Sequence, residues 1–198
     1  MEYRFVVPGE LVFEEERLTP NTYKRNGKTY ASIVGIFDGA KVVPLSGPYV
    51  PSIGDYVVGI IEDVKFVGYD VNINSPYTGF LHSKESSQEF ELGMIIGAKV
   101  LSVDEVKSAI LGSPSLLRGG SIIEISSAKI PRVIGKKNSM INMIRDMTGC
   151  DIVVGRNGRV WIKGEKSGLA TLAILKIERE AHTSGLTDRV RRLLERVD

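Results

Sequence analysis

The sequence holds one cysteine, two histidines and one tryptophan among 198 residues, and each scarcity removes a class of chemistry. The single thiol, Cys150, can form no internal disulfide; it follows Thr148-Gly149 into strand-like residues and reads as packing. With only His82 and His182, and no Cys-x-x-Cys or His-Glu-x-x-His spacing, no metal-ligand pattern exists. No phosphate loop occurs either, because Gly164-Glu-Lys-Ser167 lacks the glycine before its lysine and reads as a helix start. Glu62 and Asp63 are adjacent on a strand, which should turn them to opposite faces and spoil them as a carboxylate pair. Neither catalysis nor a cofactor is expected. No apolar run approaches 18 residues, and the first residues show no charged-then-apolar leader, so the reading is a soluble, cytoplasmic chain with no membrane partner. Neither charge sign dominates: 26 basic against 24 acidic side chains leave +2, so any nucleic-acid site must come from local clustering.

Such clustering is present. Lys129, Arg132, Lys136 and Lys137 place four positive charges in nine residues with no acid among them. The pattern from Lys129 to Ile152 reads as a short helix, a tight Gly135-Lys-Lys-Asn138 loop, a second helix and a strand, with two helix N-termini approaching each other at the charges. Met140, Ile141, Met143, Ile144 and Met147 follow the spacing of a broad buried helical face, and Thr148-Gly149 closes it. The methionines are core filler. Val133 and Ile152 are the apolar residues expected to line a groove for bases.

Ahead of this stretch the chain reads as β structure. Asn26-Gly27 and Asp38-Gly39 signal two hairpins, with Thr29 to Phe37 as strand material between them. Glu2, Glu10, Glu14, Glu15 and Glu16 outnumber Arg4 and Arg17 in the first twenty residues, an acidic end suited to a basic protein partner. Pro44, Pro48 and Pro51 with Gly47 interrupt any sheet and mark a boundary, giving a first domain over residues 1–50. Residues 51–115 supply short strands at Tyr56 to Phe66, Tyr69 to Asn74, Gly79 to His82 and Ala98 to Val103, the spacing of a small Greek-key barrel of the OB kind. Ser83 to Phe90 is an irregular connection, and Phe80 and Leu81 are assigned to the barrel core. Residues 116–198 begin with a flexible Leu116-Leu-Arg-Gly-Gly120 link and run β-α-α-β-β-α. Within them Asn157-Gly158 signals a hairpin, Ser167 caps a helix ended by Ser184-Gly185, and Thr187 caps a last helix with Val190, Leu193, Leu194 and Val197 on one stripe. That stripe must bury itself on its own domain or on a partner.

Several of these segments resemble known families. Gly135-Lys-Lys-Asn138 between its helices resembles the KH domain, type I, whose Gly-x-x-Gly loop clamps about four nucleotides; here Asn138 replaces the final glycine, so the grip is expected to be weaker. Gly68-Tyr-Asp-Val-Asn-Ile73 and Gly79-Phe-Leu-His-Ser83 resemble the S-one variant of the OB fold. In that face Val67 and Asp70 stand where stacking aromatics are usual, leaving His82, with Phe66 and Tyr69 as substitutes. His82 has a second reading as an ordinary strand-end histidine. The order of parts, with Val6-Val-Pro-Gly9, Leu45 to Asp55, Arg118-Gly-Gly120 and Gly155-Arg-Asn-Gly158, is similar to the RNA-binding cap subunit of the archaeal exosome. The fold expected is therefore mixed β and α+β: a small N-terminal β domain, an S-one-type OB barrel and a C-terminal KH domain. The resemblance implies a non-catalytic subunit forming a homotrimeric cap on a hexameric ring of phosphorolytic exoribonuclease subunits, gathering single-stranded RNA for them. It also implies that Gly155, Asn157 and Gly158 pack the KH domain against the barrel. A free-standing RNA chaperone or translation factor, and an assembly scaffold with decayed RNA sites, remain as alternatives.

Overall fold

The computed structural model describes residues 4–17, 19–44, 47–183 and 185–195. Glu2, Leu45, Ser46, Ser184 and Val197, named above, lie outside them. The chain separates into two compact units, Met1–Gly47 and Pro48–Asp198.

The first unit contains two three-stranded antiparallel sheets. In one, β5 (Gly35–Phe37) lies between β1 (Arg4–Val6) and β6 (Val42–Pro44); in the other, β4 (Lys28–Ala31) lies between β2 (Leu11–Phe13) and β3 (Thr22–Arg25). Asn26 (φ 51°) and Gly27 (φ 77°) turn β3 into β4 as their residue types require. The continuous strand expected from Thr29 to Phe37 is broken at Ser32–Val34: Ser32 donates its N–H to Asn21 O, and the chain moves from one sheet to the other. Val6, Val12, Ala31 and Val42 form the core. Among the described residues each acid of this end has a cation beside it: Glu10 pairs with Arg4, Glu14 with Lys28, Glu15 with Arg17 and Glu16 with Lys24. The β3–β4 hairpin supplies two of those cations, so the expected basic-partner surface is neutralised from within.

The second unit combines a closed barrel and a sheet-and-helix layer. The barrel runs in the order β10-β11-β9-β8-β7, from β7 (Tyr56–Lys65), β8 (Gly68–Asn72), β9 (Gly79–His82), β10 (Ile95–Val103) and β11 (Ala109–Leu116). β11 closes it by pairing in parallel with β9. Val57, Ile61, Val71, Leu81, Ile96, Val100 and Leu111 fill the interior. A register shift between Ile61 and Asp63 breaks the alternation of β7, so Glu62 and Asp63 are both exposed and do not face opposite ways across a buried sheet.

The sheet of the second layer has the order β12-β14-β13, from β12 (Ser121–Glu124), β13 (Asp151–Val154) and β14 (Arg159–Lys163). Against one face lie α1 (Ile130–Ile134), α2 (Ser139–Thr148), α3 (Ser167–Glu180) and α4 (Leu186–Glu195), sharing one core with Ile152, Val160 and Ile162. Cys150 is buried there, and its sulfur lies where a side chain on Gly164 would have to go. Two helix starts differ from expectation. Lys166 occupies the N-cap position of α3, and Ser167 makes no capping bond; Thr187 lies inside α4, exposed. The α4 stripe buries on its own layer through Leu186, Val190 and Leu194.

Candidate nucleic-acid interface

The cationic loop joins the end of α1 to the start of α2, so one helix N-terminus faces it and not two. Gly135 has φ 75° and ψ 173°, a conformation essentially restricted to glycine, and a Cβ there would sit 2.7 Å from both the N and Cβ of Met140. Lys137 (φ 52°) and Asn138 (φ 63°) both adopt the left-handed form, which turns the main chain sharply and leaves Lys136, Lys137 and Asn138 exposed. Asn138 stands at the N-cap of α2 but its side chain accepts no N–H from it, so the first amides of that helix have no side-chain cap. Arg132 is exposed and Lys129 half-buried on the approach to the loop.

Val133 and Ile152 do not line a groove. They are 0% and 2% exposed and belong to the core, because the inward faces of α1 and β13 meet there. The residue that spans from α2 to β13 is Arg145, whose guanidinium donates to Ile152 O at 2.5 Å on the unpaired edge of β13. Nothing in the sequence separates this arginine from a solvated helix face.

On the barrel the three candidates separate. Phe66 is fully exposed at the turn between β7 and β8, with Val64 and Val67 about half exposed beside it. Tyr69 is 7% exposed and faces inward, which removes it as a stacking platform: its ring meets Phe90 edge-on at 5.3 Å and its hydroxyl accepts the Phe90 N–H. The cause is the period of β8, where Tyr69 and Val71 point into the barrel while Asp70 and Asn72 lie on the other face. His82 is exposed on β9, and the same two-residue period brings Phe80 beside it, ring centroids 4.8 Å apart and nearly perpendicular. Phe80 is half-buried and outward-facing, not barrel core, and its Cζ lies 2.9 Å from the position of a Cβ on Gly68, so only glycine there lets the ring lie across β8. Its spacing from His82 was the sequence signal for this aromatic pair. Asp70 holds Lys65 at 2.5 Å along the same face and raises the lysine pKa through that bond.

Between the barrel and the KH sheet lies a polar junction. β7 pairs with β10 from Tyr56 to Ile60 but with β8 only from Ile60 onward, so one edge of Tyr56–Gly59 has no strand beside it. The turn Gly155–Gly158 occupies that edge. Arg156 donates its N–H to Tyr56 O at 2.7 Å; the Asn157 carboxamide accepts the Val58 N–H at 3.2 Å and donates to Val58 O at 2.8 Å and Ile73 O at 2.9 Å. Tyr56 and Val58 are two apart and present their main-chain groups to the same side, so turn and carboxamide together replace a missing strand. Asn157 is 1% exposed, and Arg159, 6% exposed, reaches Asn72 O at 2.7 Å and Glu124 at 2.8 Å. A Cβ on Gly155 would lie 2.7 Å from Val58 N, and one on Gly158 2.3 Å from Ile125 O. Loss of the carboxamide would strand three buried main-chain groups at a cost of about 1–3 kcal/mol each.

Comparison with known proteins agrees with this layout. Residues 4–46 match the family model described as the exosome RNA binding protein RRP4 N-terminal domain, and residues 120–168 match the KH domain. The chain is 44% identical to the exosome complex component Rrp4 of Methanobrevibacter smithii, over 96% of this chain and 70% of that one. It is 42% identical to the protein of the same name from Pyrococcus furiosus, over 96% of this chain and 81% of that one. A crystal structure assigned as an exosome complex RNA-binding protein superimposes with a TM-score of 0.68 at 36% identity, covering 76% of this chain and 97% of that one. By identity to these relatives over nearly its whole length, with the N-terminal and KH family models matched in turn, the chain belongs to the exosome Rrp4 family.

Proposed function

We propose that this chain is a non-catalytic RNA-binding cap subunit of an exosome, which gathers single-stranded RNA and passes it to a ring of exoribonuclease subunits. The observation that carries the reading is family membership over nearly the whole chain together with an exposed Gly-Lys-Lys-Asn loop at an uncapped helix start. Phosphates meet Lys136, Lys137, Arg132 and the first amides of α2, contacts that position a strand without reading its sequence. Bases meet the Phe80–His82 pair and Phe66, each stack contributing about 1–3 kcal/mol. The first unit docks on the ring, which is a hexamer, and three copies of the chain surround its entrance. Weak sites repeated around one pore give useful retention, because binding at one raises the effective concentration at the next. Among the described residues no group of acidic, histidine and cysteine side chains could hold a metal ion, and no helix is long and apolar enough to cross a membrane; the site of action proposed is the cytoplasm.

The test is purification of the tagged chain from its native source, with RNA titration of the isolated chain alongside. Stable recovery of a pair of phosphorolytic nuclease subunits in a complex of ring size is expected, as is salt-sensitive binding of unpaired RNA. A monomer that binds RNA and recovers no nuclease would favour a free-standing RNA chaperone.

A further inference from the structure

We infer that the groove between α2 and α4 is a docking site for a protein partner, and that the partner presents a basic amphipathic helix. The inference is independent of the RNA-binding role proposed above. α4 follows the β-α-α-β-β-α order as an addition and packs beside α2 and α3. Its stripe of Leu186, Val190 and Leu194 turns inward, which leaves Arg191 and Glu195, each one residue further round, on the flank toward α2. From α2 come Met143, Asp146 and Met147, at the spacing that puts them on one flank. The two flanks enclose an open groove of about 460 Å³ that runs from Ser139 to Met147, about 12 Å at helical rise. Arg189 ties α4 to Glu180 at the end of α3 at 2.6 Å, so the second wall is held in place.

The floor of the groove is thioether. Met140, Ile141 and Ile144 of α2 are buried, but Met143 and Met147 are half-buried: each packs against the core and turns its remaining surface to the groove. Unbranched, polarizable side chains adapt to whatever is laid against them, which suits a docking floor. The walls are charged and unmatched. Among the described residues Asp146, Arg191 and Glu195 have no ion-pair partner, whereas Glu180 nearby has two. A phosphodiester strand would meet a carboxylate on each wall, which argues against RNA as the occupant. α2 thus has two flanks of opposite character: Arg145 reaches to β13 on one side, and Asp146, the next residue, stands on the other. A lysine or arginine fits the second flank, since its methylenes can lie along the methionines while its head group reaches carboxylates from both walls. About 12 Å takes about two turns of a partner helix, whose apolar residues at i and i+4 reach the floor. Contact over so short a length makes the encounter a transient one.

The experiment follows the methionine methyl resonances of the isotope-labelled full chain during titration with two synthetic helices of about four turns. One carries leucine on one face and lysine on both flanks; the other bears glutamate for each lysine. Met143 and Met147 should shift with the lysine peptide while Met94, packed on the barrel core, stays in place. The lysine peptide should bind at least about tenfold more tightly than the glutamate peptide. Asp146→Lys with Glu195→Lys, both exposed and each near a helix C-terminus where a cation is favourable, should reverse that order with the fold intact. Equal binding of the two peptides, binding of neither, shifts that spare Met143 and Met147, or an order that the double variant does not reverse would overturn the site. So would shifts of these two methyls produced by oligoadenylate, or by raising the concentration of the chain alone, since the occupant would then be RNA or a second copy.

Discussion

At the scale of single residues, the cationic loop turns on three main-chain conformations. Gly135 is irreplaceable on two grounds, its dihedral angles and the contact with Met140; Gly135→Ala should destabilise the chain by about 1–3 kcal/mol, measured by denaturant unfolding. Asn138 is different. Its left-handed φ of 63° is one that asparagine tolerates, and its exposed side chain makes no capping bond, so Asn138→Gly loses nothing locally and clears space for a phosphate. Tighter RNA binding with a stability change under about 1 kcal/mol is expected, and unchanged affinity would show that the loop already accommodates the asparagine. Reversal of both charges, Lys136→Glu with Lys137→Glu, should weaken binding and flatten the dependence of log K on log salt by about 0.7 for each phosphate contact removed, as a titration at several ionic strengths would read.

At the scale of elements, the last two helices are held by a small ionic cluster. Glu180 at the end of α3 accepts from Lys176 at 2.6 Å and from Arg189 of α4 at 2.6 Å, and these bonds, the lysine's first, hold its carboxyl below the ordinary value of 4.5. A depressed carboxylate stabilises the fold above its unfolded pKa, and that contribution is lost as pH falls through the lower folded value. Protection of the α4 amides, with exchange corrected for its intrinsic dependence on pH, should therefore fall as pH drops below the ordinary carboxylate value of 4.5, and Glu180→Gln should show the lower protection already at neutral pH. The elements themselves were largely legible, since helix faces and the Asn26-Gly27 hairpin follow local rules. Where a partner is distant in sequence, local rules say little. β11 carries Gly112 and Pro114, poor strand residues, and exists because β9 and β10 flank it. Asn157 carries a surface-turn signature by its own residue types, and only the resemblance placed it against the barrel; it is buried because β7 has an open edge 99 residues away. Tyr69 was separable from Phe80 and His82 by strand parity alone, whereas Arg145 was not separable from any exposed helix charge.

At the scale of the whole molecule, charge is partitioned between the two units. Residues 1–47 carry Glu2, Glu10, Glu14, Glu15, Glu16 and Asp38 against Arg4, Arg17, Lys24, Arg25, Lys28 and Lys41, a balance of zero, so the formal +2 of the chain resides in residues 48–198. Since the acids of the first unit are matched by its own cations, long-range attraction for a polyanion has its source in the second unit. What the first unit offers a partner is apolar instead: Phe5, Val7 and Val34 are 58%, 44% and 44% exposed, and the antiparallel register of β1 with β5 sets Phe5 opposite Ile36. Each unit has its own core, which makes the partition testable by division. A fragment of residues 48–198 should bind single-stranded RNA within about twofold of the full chain at every salt concentration, because it keeps the phosphate contacts that set both affinity and slope. The same fragment should fail to recover nuclease subunits. Replacement of Phe5 and Val34 by serine in the full chain should reproduce that failure with RNA affinity intact, as removal of apolar surface from a docking face requires. Loss of RNA affinity in the fragment would place phosphate contacts in the first unit and break the division of labour proposed for the two.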